Sequence, residues 1–235
     1  MLTLMRKDLR VVAGFGWLLA WLVAPSYLVP VMTASRAGGM IFWVNVAFAT
    51  AALVSVCLLD ARSGADRFIH SLPVTRADVV RARYGTAIAL AAVVLGIGAA
   101  AGMVRALATA SPGAAWPRWF SPDVGLAYLV VMAVVIAIYL PCYFRWGYGR
   151  GSVAAAVLLA GLVIAGDAIG NESESLTMLA PGAGGLPRGL VVRTVVAMAD
   201  TWGLAAASVI ALAGAAGTLA VSAAAASRMY RRREF

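Results

Sequence analysis

The sequence predicts an all-α integral membrane protein with six transmembrane helices, and three observations support that fold class. Of the 235 residues, 63% are hydrophobic and only 12% are charged, which is about half the charged share of a soluble domain. The mean hydropathy is +0.89. The apolar runs are continuous, and several reach the length of about 20 residues that a helix needs to cross a bilayer. These features exclude a soluble enzyme and a disordered chain, and continuous runs also exclude a membrane barrel of alternating strands.

Six apolar segments follow one another along the chain. The predicted spans lie at about residues 11–32, 40–59, 84–104, 124–144, 151–170 and 201–227. They leave no length for a separate soluble domain, so we expect residues 1–235 to form a single transmembrane domain. The first span follows basic residues, as a signal peptide does, but it is too long for a signal core and lacks a cleavage site. We therefore expect it to be retained.

The distribution of basic residues predicts the orientation. If the N-terminus lies in the cytoplasm, 14 of the 19 Lys and Arg residues fall on the inner side of the membrane. Both termini are then cytoplasmic, and the excess charge of +9 lies on the inner side, where anionic lipid headgroups are found. Anionic membrane lipids are therefore expected partners. The basic pI of about 10.4 follows from this topology and does not indicate nucleic-acid binding.

The first residues form an amphipathic pattern ahead of the first span. Leu2, Met5 and Leu9 share one face of a helix, whereas Arg6 and Lys7 lie on the other. An apolar face opposite basic side chains is typical of a helix that lies in the membrane interface. We expect such an interfacial helix on the cytoplasmic side.

The chain has few residues that could catalyse a reaction, which argues against an enzyme. His70 is the only histidine, which excludes a paired-histidine zinc motif, and Lys7 is the only lysine and is followed by Asp8, which excludes a phosphate-binding P-loop. We expect no catalytic, metal or cofactor site here. Active transport would then draw on an ion gradient or a separate ATPase. Arg105 and Asp167 are interpreted as charges near the outer interface rather than as a proton relay at the bilayer midplane.

The loop between the second and third spans carries the strongest local signals. Ser63 with Asp66 and Thr75 with Asp78 each fit the Ser/Thr-x-x-Asp/Glu capping box that opens a helix. Pro73 disfavours helix at the residue before it. The pattern predicts a short cytoplasmic helix, a proline break, and a long helix that begins at Thr75 and becomes the third span. In this arrangement Arg81 and Arg83 lie at the lipid headgroups.

After the acidic Asp60, this loop reads Asp66-Arg67-Phe68, then Ser71-Leu72-Pro73-Val74-Thr75-Arg76-x-Asp78-Val79-Val80-x-Ala82-Arg83-Tyr84. This run resembles the second loop of the type-2, exporter-type ABC transporter permeases, a bacterial six-span family. The match is dense over about fifteen residues. Outside the loop the resemblance extends to weaker features, among them the Lys7-Asp8 pair.

The resemblance implies a transport subunit without bond chemistry of its own. It implies that the short loop helix couples the chain to its ATPase, through Asp66, Arg67, Phe68, Leu72, Pro73 and Arg76. The implied partners are two ABC ATP-binding subunits, which hold ATP and Mg, and a second permease chain, identical or homologous, in a bacterial inner membrane. Amphipathic peptides, drugs and lipids are all permitted substrates. The alternative is a six-span carrier, channel or immunity/sensor protein that works without an ATPase.

Two further features complete the prediction. The outer segment 171–200 contains Glu172 and Glu174, and the resemblance implies short outer helices there, although an ordinary loop fits the sequence equally well. Small-xxx-small motifs allow close approach of helices and serve either packing within the chain or a dimer face. These motifs comprise Gly98 with Gly102 and Gly166 with Gly170. Cys57 and Cys142 are expected to be small buried apolar residues.

Overall fold

A computed structural model describes residues 37–63, 75–108, 122–172, 194, 197–198 and 200–231. Within these ranges the chain forms four long α-helices. They are α1 (Ala37–Ser63), α2 (Arg76–Ala108), α3 (Pro122–Glu172) and α4 (Leu204–Arg231). Each contains a stretch long and apolar enough to cross a membrane: Phe42–Arg62, Arg76–Ala100, Val124–Leu158 and Leu204–Tyr230.

The helices α1, α2 and α4 correspond to the second, third and sixth predicted spans. The first span and the N-terminal interfacial helix lie outside the described residues, so the number of six spans stays a prediction. The observed helices are longer than predicted. In particular, α1 continues to Ser63 rather than stopping at Leu59, so Ser63 closes α1, and the helix predicted to follow it lies outside the described ranges.

Helix α3 contains a sharp break at Gly147, whose backbone has φ 78° and ψ −175°. The chain turns back at this point, because a Cβ atom built on Gly151 would lie only 3.0 Å from the Cα atom of Tyr143. Residues eight apart in a straight helix are separated by about 12 Å. Residues 122–146 and 148–172 are therefore two helical segments joined by a tight reversal, and they cover the fourth and fifth predicted spans.

The first segment of α3 forms the centre of the bundle. Its fully buried positions recur every three or four residues, as on one face of a helix. They are Ala127, Val131, Met132, Val135, Ile136, Tyr139 and Leu140. Helices α1 and α4 both pack against α2 and α3.

Before Tyr230 near its end, helix α4 packs through small side chains and leaves large apolar ones exposed. Ala207, Ser222 and Ala226 are buried, whereas Val209 and Val221 are 68% and 73% exposed. An exposed apolar face is costly in water but suits a helix whose surroundings are lipid. The helix begins after Gly203, whose positive φ of 83° ends a preceding helical stretch that includes residues 200–202.

Candidate functional site

The candidate site lies at the end of the bundle where the predicted coupling loop leaves α1 and enters α2. Arg76 is the one predicted coupling residue within the described part of the chain, as the first residue of α2. Asp66, Arg67, Phe68, Leu72 and Pro73 lie outside the described residues. The site is therefore built from the two ends of the loop and from the helix ends that they contact.

Helix α2 begins with the predicted cap. The backbone N–H of Asp78 donates to the Thr75 hydroxyl oxygen at 3.2 Å, and the Thr75 hydroxyl donates to the Asp78 carboxylate at 2.6 Å. The carbonyl of Thr75 also accepts from the N–H of Asp78 at 2.9 Å. These bonds satisfy the backbone N–H of Asp78, one of the groups that a helix N-terminus otherwise leaves without partners. The second of the two predicted helix starts in this loop is confirmed.

Asp60 and Arg83 form an ion pair between the last turn of α1 and the third turn of α2. Both side chains are buried, with exposures of 6% and 7% respectively. A buried guanidinium needs an anionic partner, and Arg83, which the sequence predicts at the headgroups, finds one in Asp60. Arg81, two residues earlier, is 67% exposed.

Arg76 binds the C-terminal end of α4. Its guanidinium donates to the backbone carbonyl of Tyr230 at 3.1 Å and lies 5.8 Å from the centroid of the Tyr230 ring. The last carbonyls of a helix lack helical partners and carry partial negative charge, so a cation is favourable there. The Tyr230 ring also packs against Phe144 of α3, with centroids 5.2 Å apart. Arg76 thus connects the loop end to α4 and, through Tyr230, to α3.

A second polar connection joins α2, α3 and α4 two turns further along α2. The Tyr84 hydroxyl lies 2.6 Å from Ser222 Oγ, and Ser222 Oγ donates to the carbonyl of Ala137 at 2.6 Å. Since the single hydroxyl proton of Ser222 goes to Ala137, Tyr84 is the donor in the first bond. The Ala137 carbonyl lacks its usual helical donor, because Pro141, four residues on, has no N–H.

Exposed basic side chains surround this end of the bundle. They are Arg62, Arg81, Arg145, Arg150 and Arg228, and the Arg145 guanidinium lies 5.5 Å from the ring centroid of exposed Trp146. Such a surface suits anionic headgroups or an acidic protein partner. In the part of the chain that the structure describes, no three His, Cys, Asp or Glu residues are grouped as metal ligands. Of the predicted packing residues, Gly98 is buried.

The Asp60–Arg83 pair was not predicted, although the sequence contains a signal for it. The two residues have opposite charge and flank the loop, each next to an apolar span. Their pairing depends on the extension of α1 past Leu59 and on the start of α2 at Arg76, which places both charges inside helices. The hydrogen bond between Tyr84 and Ser222 joins residues that are 138 positions apart in the sequence, so no local pattern predicts it.

One family model matches the chain, over residues 3–200, and it is described as an ABC-2 family transporter protein. No curated protein and no solved structure gives a significant match. The match covers most of the chain, including the capped start of α2, the Asp60–Arg83 pair and the reversal at Gly147. It agrees with the apolar helices and with the resemblance of the second loop. The chain is therefore a multi-pass membrane protein of the ABC-2 transporter family.

Proposed function

We propose that this chain is the permease subunit of an ATP-driven exporter whose energy comes from separate ATP-binding subunits. The observation that carries the proposal is the family match together with the structure around the second loop. Both ends of that loop are fastened to the bundle, at Asp60 by an ion pair and at Arg76 by a bond to α4. A loop anchored in this way can transmit a displacement into the helices instead of absorbing it.

In the proposed assembly two permease chains work with two ATPases, and both termini lie in the cytoplasm of a bacterial inner membrane. The ATPases dimerise on ATP and push on residues 64–74, which converts the permease pair between closed and outward-open states. The exposed apolar face of α4 is compatible with lipid or with a second permease chain. The exposed arginines at the loop end suit the anionic inner leaflet.

The alternative is a carrier or channel without an ATPase. Ion-coupled carriers place ionisable groups near the bilayer midplane, where the groups bind or relay the coupling ion. Among residues whose burial the structure describes, Asp60 and Arg83 are the buried charged ones, and they pair with each other near the loop. That placement favours a role in fastening helices over a role in ion transport.

The test is co-purification with a Walker-type ATPase encoded beside this gene. The two proteins should form a complex whose ATP hydrolysis exceeds that of the ATPase alone, whereas the permease chain alone should bind and hydrolyse no ATP. Failure of every neighbouring ATPase to associate, or saturable nucleotide binding by the isolated chain, would refute the proposal.

Substitutions in the loop between the second and third spans test whether the ATPase binds there. Asp66→Ala with Arg67→Ala should leave membrane insertion intact, because neither residue lies in a predicted span, but should lose ATPase association or its stimulation. Pro73→Ala should act similarly, because the loop helix would continue past its break. The matched control is Glu172→Ala with Glu174→Ala at the predicted outer side, which should leave ATPase association unchanged. The opposite result would place the contact on the other side of the membrane.

A further inference from the structure

The Asp60–Arg83 pair has an unusual position for an ion pair in this chain. It connects the end of α1 to the start of α2, so it joins the two ends of the loop formed by residues 64–74. A second pair, Asp78 with Arg81 at the start of α2, has an N···O distance of 3.8 Å and joins residues of a single turn. Only a pair between helices restricts their relative movement.

Burial makes this pair a costly way to hold two helices together. Both charges lose their hydration, and apolar side chains of similar size commonly stabilise such a position at least as well. A buried pair does supply a defined geometry, because each charge tolerates few other positions in an apolar environment. We infer that the pair serves to define the relative position of the two helix ends.

The neighbouring contacts extend this rigidity from α1 to the rest of the bundle. Tyr84, next to Arg83 in sequence, bonds Ser222 of α4, and Ser222 bonds Ala137 of α3. Arg76, two turns earlier, bonds the carbonyl of Tyr230. The first turns of α2 are therefore linked to all three other helices through polar side chains, and the ion pair supplies the link to α1.

We propose that Asp60 and Arg83 are a positioning pair that makes the end of α1 and the start of α2 move as one rigid body. This proposal rests on the proposed function where it concerns the ATPase, because that partner would displace the loop between the two helices. With the pair intact, a displacement of residues 64–74 reaches both helices together. Without the pair, each helix end moves separately and the displacement is lost within the loop.

The test measures the distance between spin labels on α1 and α2. Labels are placed by Arg62→Cys and Ile88→Cys, both exposed positions, in a background carrying Cys57→Ala and Cys142→Ala, and the full chain is placed in lipid nanodiscs. Asp60→Asn with Arg83→Gln removes the buried pair. Arg81→Gln is the control, since it removes an exposed charge from α2 and leaves the capping residue Asp78 unchanged.

The labelled parent and the control should each give a single narrow distance distribution. The chain with Asp60→Asn and Arg83→Gln should give a distribution at least about twice as wide. Equal widths in all three would overturn the proposal. If the amide variant does not fold, Asp60→Leu with Arg83→Met carries the same test, because paired apolar replacements leave no unpartnered charge.

A second measurement separates this proposal from the proposed function. With an ATPase and nucleotide bound, the distance between positions 62 and 88 in the labelled parent should stay within its resting width, because the two helix ends move together. A nucleotide-driven change beyond that width would overturn the positioning role. Failure of any ATPase to bind would refute the proposed function alone, since the first measurement uses the permease chain without partners.

Discussion

The hydroxyl of Ser222 donates to the carbonyl of Ala137, the helical acceptor that Pro141 leaves without an N–H. The proline breaks the bonding pattern of α3 at one carbonyl, and a serine of α4 restores it across the helix interface. Tyr84 of α2 then donates to the same serine. The hydrogen bond that α3 lacks at this carbonyl is thus replaced by a polar contact among α2, α3 and α4.

This relationship predicts that the effects of Ser222 and Pro141 are not additive. Ser222→Ala should lower the free energy of unfolding by about 1 kcal/mol, because the Ala137 carbonyl and the Tyr84 hydroxyl both lose a partner. In a Pro141→Ala background the same change should cost less, since the new alanine supplies a backbone N–H that can bond the Ala137 carbonyl. Thermal unfolding of the four proteins in one detergent measures the coupling. Thr218→Ala, which removes an exposed hydroxyl bonded within α4, is the control and should have little effect. Strict additivity would contradict the assigned bond.

The reversal at Gly147 predicts that the stability of the protein depends strongly on a second glycine, Gly151. Gly151→Ala should lower the melting temperature by several degrees, because the new Cβ would lie 3.0 Å from the Cα and 3.3 Å from the backbone N of Tyr143, and backbone atoms cannot move aside as a flexible side chain can. Gly149→Ala is the matched control, since a Cβ there meets nothing within 4 Å. Its effect should be small or stabilising. Equal effects of the two substitutions would mean that the helical segments do not approach at this point.

The bond between Arg76 and Tyr230 predicts that the stability of the C-terminal end of α4 depends on Arg76. Arg76→Ala should increase amide hydrogen exchange over residues 226–231 by about tenfold, because loss of a charge-assisted bond to a helix C-terminus costs about 1–2 kcal/mol. Exchange in the middle of α4 should not change. Arg81→Ala, at an exposed position of the same helix as Arg76, should leave both regions as they are. An equal increase in amide exchange along the whole of α4 in the Arg76→Ala chain would indicate general destabilisation instead.

The bias of basic residues predicts which positions face the cytoplasm. In a background without Cys57 and Cys142, single cysteines at Arg62 and Arg228 should resist an impermeant thiol reagent in intact cells, and a cysteine at Asp200 should react. All three positions are exposed in the structure, so the difference would come from the membrane and not from burial. Reaction at position 62 from outside the cell would reverse the predicted orientation.

Part of the candidate site was predictable because its signals are local. Thr75 and Asp78 are three residues apart, and this spacing is sufficient for the cap that starts α2. The Asp60–Arg83 pair depends on where α1 ends and on how α1 and α2 pack. No periodic pattern in the loop specifies either, so the sequence predicts Arg83 at the lipid headgroups and misses the buried pair.

The sequence by itself determined the class of the protein: its low charge, long apolar runs and second-loop motif are enough to indicate a membrane transport subunit. Tertiary structure decided which side of each helix faces the protein. Ile138 is 41% exposed and Tyr139, its neighbour on α3, is fully buried, although Tyr139 is the more polar of the two. In a soluble protein the polar residues of a helix mark its outer face, but here lipid and protein interior are both apolar. Hydropathy therefore separates membrane from water, and only packing and hydrogen bonds between helices separate protein from lipid.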